Sequence, residues 1–300
     1  LEIQKSGDYK SAKSKLTTLF QFCNDHNDSL RVIRYENYFL EKRGLFNKAE
    51  ILSDSVKKIE KKLRGGKDWL EENKEFQKID EETKGFYRLL AKGKTKEALT
   101  IVKKLTNYDK NNTQEQSSWT KGLVDMWYSS AVNRFCMHET TQKEHANILE
   151  DFILYKKNKK DDNEGMFIWF GSSIKKTTAP LEAKLLSFDD KYSEAIELLE
   201  KHKTITSNKG YLLQLARYYQ KIGNYKKAGE NFIPILKRYP YNAYYNYYAA
   251  LLYHEWGKQE KAEEHLKITL DIWKDADNDY IFSNMAKVTA QKWGIIDVLN

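Results

Sequence analysis

Apolar side chains recur at spacings of three and four residues along much of the chain, which is the pattern of α-helices with one buried face. The clearest example runs from Lys209 to Pro240 and divides into two helices at Gly223. Glycine is favoured just past a helix end because it adopts the left-handed region without steric cost. We expect Pro234 to kink the second helix and Pro240 to stop it. The stretch therefore predicts a helical hairpin.

This hairpin belongs to a repeat, because Ala195, Ala228 and Ala262 lie 33 and 34 residues apart. Each alanine ends a similar six-residue phrase that reads Gly-Asn-Tyr-Lys-Lys-Ala at residues 223–228. A helix–turn–helix pattern that recurs near every 34 residues is typical of a stacked array of hairpins. Arrays of this kind usually hold another molecule and seldom carry out chemistry themselves.

The strongest copies, over residues 176–274, resemble the tetratricopeptide repeat. That family has a small residue, a tyrosine, an aromatic, an alanine, a second aromatic and a proline at fixed positions. The unit at 209–240 supplies them in this order: Ala216, Tyr219, Tyr225, Ala228, Phe232 and Pro240. Fainter copies of the turn phrase lie in residues 1–106 and begin at Gly7, Gly44 and Gly93.

The resemblance implies an all-α protein, an α-solenoid of antiparallel helix hairpins wound as a right-handed superhelix, with an irregular helical middle section. In such an array each hairpin is expected to contact only its sequence neighbours. We predict N-terminal repeats in residues 1–106, an irregular segment in 107–175 with a charged hinge at 156–165, and a C-terminal array with a closing helix in 176–300. Since the first copy lacks its leading helix, we expect a piece of a longer protein.

Composition narrows the function classes only slightly. The 300 residues carry 40% hydrophobic and 31% charged side chains, as foldable globular chains do. No apolar run approaches the roughly 18–20 residues that a membrane-spanning helix needs. Two cysteines are too few for a disulfide framework, which favours a cytoplasmic location, although a periplasmic array would look much the same. The net charge of +8 favours anionic partners.

Family members bind partners in a groove lined by the first helix of each repeat. Carrying the family's groove positions onto this chain gives a mixed set of cations, tyrosines and apolar side chains. The set comprises Lys184, Arg217, Gln220, Lys221, Tyr244, Tyr247, Leu251, His254 and Ile281, with Asn278 and Met285 beside the last. Such a surface suits a peptide with acidic and apolar side chains, because tyrosine gives contact area and arginine grips carboxylates.

Each groove residue also has a structural interpretation. The run of tyrosines at 241–248 must place some rings between helices, and the lysines are typical of a solvated surface. The clamp that some family members use to hold a partner's terminal carboxylate is not matched, because Leu213, Arg217 and Tyr248 stand at its Lys and Asn positions.

No constellation of residues indicates catalysis, so we predict that the chain is not an enzyme and uses no cofactor. Cys136, His138 and His145 could ligate zinc, but their spacing fits no common motif and we expect no metal. Ser172 lacks the turn that activates a nucleophile. Gly65-Gly66-Lys67 lacks the rest of a phosphate-binding loop.

The sequence therefore favours a protein-interaction scaffold that binds a peptide or protein in its groove, as part of a larger protein or complex. One alternative is a regulatory or sensor domain of a longer enzyme. The other is a helical-repeat protein that cradles RNA through phosphate contacts and stacking.

Overall fold

The computed structural model describes residues 9–23, 25–63, 74–111, 131–132, 135, 141–158, 178–202 and 209–295, and all regular structure among them is helical. In chain order the helices are α1 (Tyr9–Gln21), α2 (His26–Lys42), α3 (Phe46–Leu63), α4 (Lys74–Ala91), α5 (Thr95–Asn111), α6 (Gln142–Asn158), α7 (178–188), α8 (Tyr192–Lys201), α9 (Lys209–Lys221), α10 (Tyr225–Arg238), α11 (Ala243–Glu255), α12 (Gln259–Ile272) and α13 (Ile281–Lys292).

The same turn closes the first helix of each hairpin. One residue in the left-handed region follows the helix, at Gly44, Gly93, Asp190, Gly223, Gly257 and Gly294. The N–H after it donates to the carbonyl five residues earlier, as from Asn224 to Tyr219 at 2.9 Å. This hydrogen bond is the hallmark of the Schellman motif, which satisfies a carbonyl that the helix end would leave unpaired.

An alanine stands five residues after each left-handed residue that has a described second helix. These alanines are Ala49, Ala98, Ala195, Ala228 and Ala262, and all of them are 0% exposed. Small buried side chains at one repeated position let paired helices approach closely. The predicted repeat is therefore confirmed as a recurring helix hairpin, and the fold class is all-α.

The proline expectations are met at the helix end, where α10 stops at Arg238, two residues before Pro240. Pro234 lies inside α10, as expected, and the kink expected there stays a prediction. Its ring faces outward, since the residue is exposed.

The chain forms two compact units. The terminal unit comprises Leu1–Lys74 and Ile233–Asn300, and the central unit comprises Glu75–Phe232. The three-part division by sequence stays a prediction, because much of 107–175, including most of the charged hinge at 156–165, lies outside the described residues.

The central unit contains a core built from several of its helices. Its buried side chains are Phe86, Leu90, Ala98, Val102, Ala131, Val132, Phe135, Ile148, Phe152 and Leu181. Half-buried apolar residues of α4 and α5 pack around it, among them Tyr87 and Ile101. Helices far apart in sequence, from α4 to α7, thus share one apolar centre.

The terminal unit brings the start of the chain against its last hairpins through a contact that we call the terminal seam. It joins the turn at residues 42–47 to the loop at 273–280. Asp277 N–H donates to the Gly44 carbonyl at 2.9 Å, and Asn47 N–H donates to Asp277 Oδ2 at 2.8 Å. Tyr9 Oη–H also donates to the Tyr241 carbonyl at 3.0 Å.

Side chains close the terminal seam as well. Arg43 pairs with Asp275 at 2.6 Å, and the indole N–H of Trp273 donates to the Lys42 carbonyl at 3.3 Å. The rings of Phe46 and Tyr280 lie 5.2 Å apart. The expectation that each hairpin contacts only its sequence neighbours is therefore wrong for the terminal unit, since residues more than 200 positions apart are packed together.

Candidate partner-binding surface

The predicted groove residues of the central unit lie on α7 and α9. Lys184, Arg217 and Gln220 are half-buried, and Lys221 is exposed at the end of α9. The ammonium of Lys184 lies 5.2 Å from the centre of the Phe188 ring, so part of its charge is already engaged. Burial raises the pKa of Tyr192, and the Arg217 guanidinium opposes that shift, which places this cation near α8.

The predicted residues of the terminal unit lie on α11 and α13. Tyr244, Leu251 and Ile281 are half-buried, and His254 is exposed. Tyr247 is only 3% exposed, and its hydroxyl lies 3.2 Å from Thr289 Oγ1. The packing interpretation therefore describes this tyrosine better than the groove interpretation.

Two ring contacts place α11 beside α13, with both helices running in the same direction. Near their starts, the Tyr244 ring meets the edge of Phe282 at 4.9 Å. Near their ends, the His254 ring stacks on Trp293 at 4.1 Å with an interplanar angle of 19°. His254 Nδ1–H also donates to Gln259 Oε1 at 2.9 Å, which fixes the imidazole in this position. First helices of neighbouring hairpins thus form one continuous surface.

The turn at Gly294 shows which α13 residues correspond to the groove positions of α11. Counting back from Gly257 gives Tyr244, Tyr247, Leu251 and His254. The same count from Gly294 gives Ile281, which belongs to the predicted set, and Asn284, Val288 and Gln291, which do not. Asn278 instead lies before α13 begins. The pairs Trp256-Gly257 and Trp293-Gly294 are the sequence signal that could have set this register.

Val288 is the residue of this set that adds most to the surface, because its side chain is 47% exposed in the middle of α13. Together with Leu251 it gives the α11–α13 surface an apolar centre, and Ile281 adds an apolar side chain at the start of α13. His254 and Trp293 border that centre at one end, and Tyr244 borders it at the other. The arrangement offers contact area and hydrogen bonds but no nucleophile with an adjacent base.

Of the three residues in the zinc alternative, only His145 lies among the described residues, and two aromatic rings flank it. The residue is 0% exposed and lies between the rings of Phe135 and Phe188, each 5.7 Å away. Burial lowers the pKa of His145 to about 3, and the Lys184 cation acts in the same direction. Cys136 and His138 lie outside the described residues. Within the residues that are described, no group of three or more His, Cys, Asp or Glu is placed to hold a metal ion.

We expect His145 to make the central unit sensitive to acid. Its folded-state pKa lies below the ordinary value of 6.5, so the unfolded chain takes up the proton first, and stability falls as the pH drops from about 6.5 toward 3. Between about pH 7 and pH 5 this linkage costs about 2 kcal/mol of unfolding free energy. Urea unfolding of wild type and His145→Gln across this range measures it.

The variant should show a shallower loss of stability on acidification. His202→Gln, on the turn after α8, is the matched control and should keep the wild-type slope. Some slope will remain in the variant, because burial also lowers the pKa of His265 in the terminal unit. Equal slopes for wild type and His145→Gln would contradict the assignment.

None of the helices among the described residues is long and apolar enough to cross a membrane. The Gly65-Gly66-Lys67 segment and Ser172 lie outside the described residues.

Comparison with known proteins leaves the family open. No protein-family model matches the chain, and no curated protein matches it. One similar solved structure is the crystal structure of the P58(IPK) TPR domain, with a TM-score of 0.34 and 14% identity, covering 97% of this chain and 86% of that one. A likeness of this strength does not show membership of the tetratricopeptide family. The repeated turns and buried alanines define the class by themselves: an all-α protein built as an α-solenoid of antiparallel helix hairpins.

Proposed function

We propose that this protein is an interaction scaffold, and that the first helices of its hairpins bind a peptide or protein segment. The observation that carries the proposal is the α11–α13 surface, where two neighbouring first helices present the exposed His254 and Val288 together with the half-buried Leu251. A helix face that served only the core would bury such residues.

The chemistry of the surface favours a partner with apolar and acidic side chains. Leu251, Ile281 and Val288 supply apolar contact, and the edges of Tyr244 and Trp293 add aromatic area, which is enriched where proteins meet. Apart from this surface, the first helix α9 of the central unit carries the cations Arg217 and Lys221. The net charge of +8 also draws anionic partners at long range.

Charge placed in the apolar centre should prevent binding. We expect Val288→Glu to lose the proteins that the intact wild-type protein captures, since a carboxylate must be desolvated against an apolar partner. The side chain is already half in water, so the fold should persist. Quantitative affinity capture with mass spectrometry measures the loss, and circular dichroism checks the fold.

Ile51→Glu is the matched control, because it introduces the same charge at an exposed apolar residue of a second helix, α3. It should retain the captured proteins. Capture that survives Val288→Glu, or that both substitutions reduce equally, would count against the proposed surface. Tyr247 is unsuited to this test because its ring is buried and its loss would disturb packing.

A further inference from the structure

Helix α2 carries a second exposed surface, which we call the α2 stripe. It consists of the exposed Arg31, Arg34, Tyr35 and Tyr38 and the half-buried Lys42, spaced so that all of them share one side of the helix. Tyr35 is 66% exposed and Tyr38 is 48% exposed. The side chain of Arg31 is 77% exposed. The core-facing residues Leu30 and Phe39 lie on other faces of α2.

The hairpin architecture does not require this composition. The positions of Arg34 and Lys42, counted back from Gly44, correspond to Thr83 and Ala91 when counted back from Gly93 on α4. Those two residues are 6% and 5% exposed, and both belong to the interior of the central unit. A first helix can therefore bury these positions, whereas α2 holds an exposed cation at Arg34 and a half-buried cation at Lys42.

Two cations of the stripe, Arg31 and Lys42, make contacts near the protein surface. Arg31 pairs with Asp28 at 3.9 Å, and both side chains are largely in water, where such pairs contribute about 0–1 kcal/mol. Lys42 lies 5.0 Å from the centre of the Tyr38 ring, so its charge stands over an aromatic face. An incoming carboxylate can therefore compete with Asp28 for Arg31.

We propose that the α2 stripe binds an acidic peptide segment whose carboxylates alternate with apolar or aromatic side chains. The arginines would grip carboxylates bidentately, and the tyrosine rings would cover the side chains between them. From Arg31 to Lys42 the stripe spans 12 residues of helix, a rise of about 17 Å, which suits a short segment. It rests on the proposed scaffold function but occupies a helix outside the α11–α13 surface.

Local charge favours a peptide over a nucleic acid. Asp28 lies next to Arg31, and Glu41 lies next to Lys42 in sequence, so the positive potential is interrupted. A continuous phosphate backbone would meet these carboxylates and be repelled. A peptide can place its acidic side chains opposite the cations and other side chains opposite Asp28 and Glu41. Single-stranded nucleic acid binders instead track the backbone with an uninterrupted basic groove.

The test measures fluorescence anisotropy of a labelled peptide of repeated Glu-Glu-Phe against the intact protein. We expect Arg31→Glu/Arg34→Glu to weaken binding at least about tenfold, because two charge-assisted contacts become repulsive. Lys13→Glu/Lys15→Glu changes the net charge equally at exposed residues of α1 and should stay within about twofold of wild type. Tyr35→Ala/Tyr38→Ala should weaken binding, and the corresponding phenylalanines should restore it.

The outcomes separate this inference from the scaffold function. Val288→Glu should keep full affinity for the labelled peptide while losing captured partners. Wild-type protein that fails to bind the peptide, or equal losses in the two charge-reversal variants, would overturn the α2 stripe alone. Tighter binding of an oligouridylate than of the peptide would also overturn it, because the stripe would then be a nucleic-acid surface.

Discussion

Replacing Ala228 with glutamate should unfold the hairpin of α9 and α10 and with it much of the central unit. Ala228 is 0% exposed in the first turn of α10, where its N–H donates to the Asn224 carbonyl at 3.0 Å. A glutamate there must either displace the neighbouring helix or bury a carboxylate without a partner. Each alternative is among the most costly single changes, so we expect a loss of about 4 kcal/mol or more.

This loss is a large part of the total free energy of unfolding, which is only about 5–15 kcal/mol for a domain. Urea unfolding gives the free energy, and hydrogen exchange should show protection lost first across α9 and α10. Ile233→Glu is the matched control, since it adds the same charge to an exposed residue of the same helix. An Ala228→Glu protein as stable as this control would show that the alanine does not set the close helix contact.

Local sequence signals predicted the hairpins well because the forces that form them are local. A left-handed residue ends a helix, and a small residue five positions later permits close packing, so the two recur in the sequence at a fixed spacing. Gly223 and Ala228 fit this spacing. Asp190 fits it as well, since it takes the left-handed turn five residues before Ala195 without being glycine. The same turn signal would have set the register of α13 from Gly294.

Exposure within a helix was harder to predict. The run at 241–248 contains tyrosines at every phase of the helix, so spacing could not separate the half-buried Tyr244 from the buried Tyr247. Nearly the whole circumference of α11 is apolar or aromatic, and its burial is decided by helices on several sides. The assignment of residues to the partner-binding groove therefore stays a prediction, and it now excludes the buried Tyr247.

The terminal seam left no periodic signal at all. Its hydrogen bonds join Gly44 and Asn47 to Asp277, which are separated by at least 230 positions, and they use backbone groups as often as side chains. Nothing in a repeat pattern indicates that one turn will meet a distant loop. Gly44 marks a turn in the sequence, as the other turn glycines do. What sets it apart is its surroundings in the folded protein.

Substituting Gly44 with alanine should therefore destabilise the terminal unit more than the same change at any open turn. Gly44 has φ +73, and an added Cβ would lie 2.5 Å from Tyr280 Cδ1 and 2.9 Å from Ala276 Cβ. Tyr280 cannot easily yield, because the rings of Phe46 and Trp273 each lie 5.2 Å away. We expect a loss of about 3 kcal/mol, of which about 1 comes from the left-handed backbone and the rest from overpacking.

Gly257→Ala isolates the backbone part, because Gly257 has φ +74 in the same unit and nothing within 4 Å of an added Cβ. In urea unfolding, the free energy of unfolding of Gly44→Ala should be about 2 kcal/mol lower than that of Gly257→Ala. Since the clash acts between the turn at 42–47 and the loop at 273–280, hydrogen exchange should rise at both segments in Gly44→Ala and only near residue 257 in the control. Equal losses in the two variants would mean that the terminal seam does not hold the first and last hairpins together in solution.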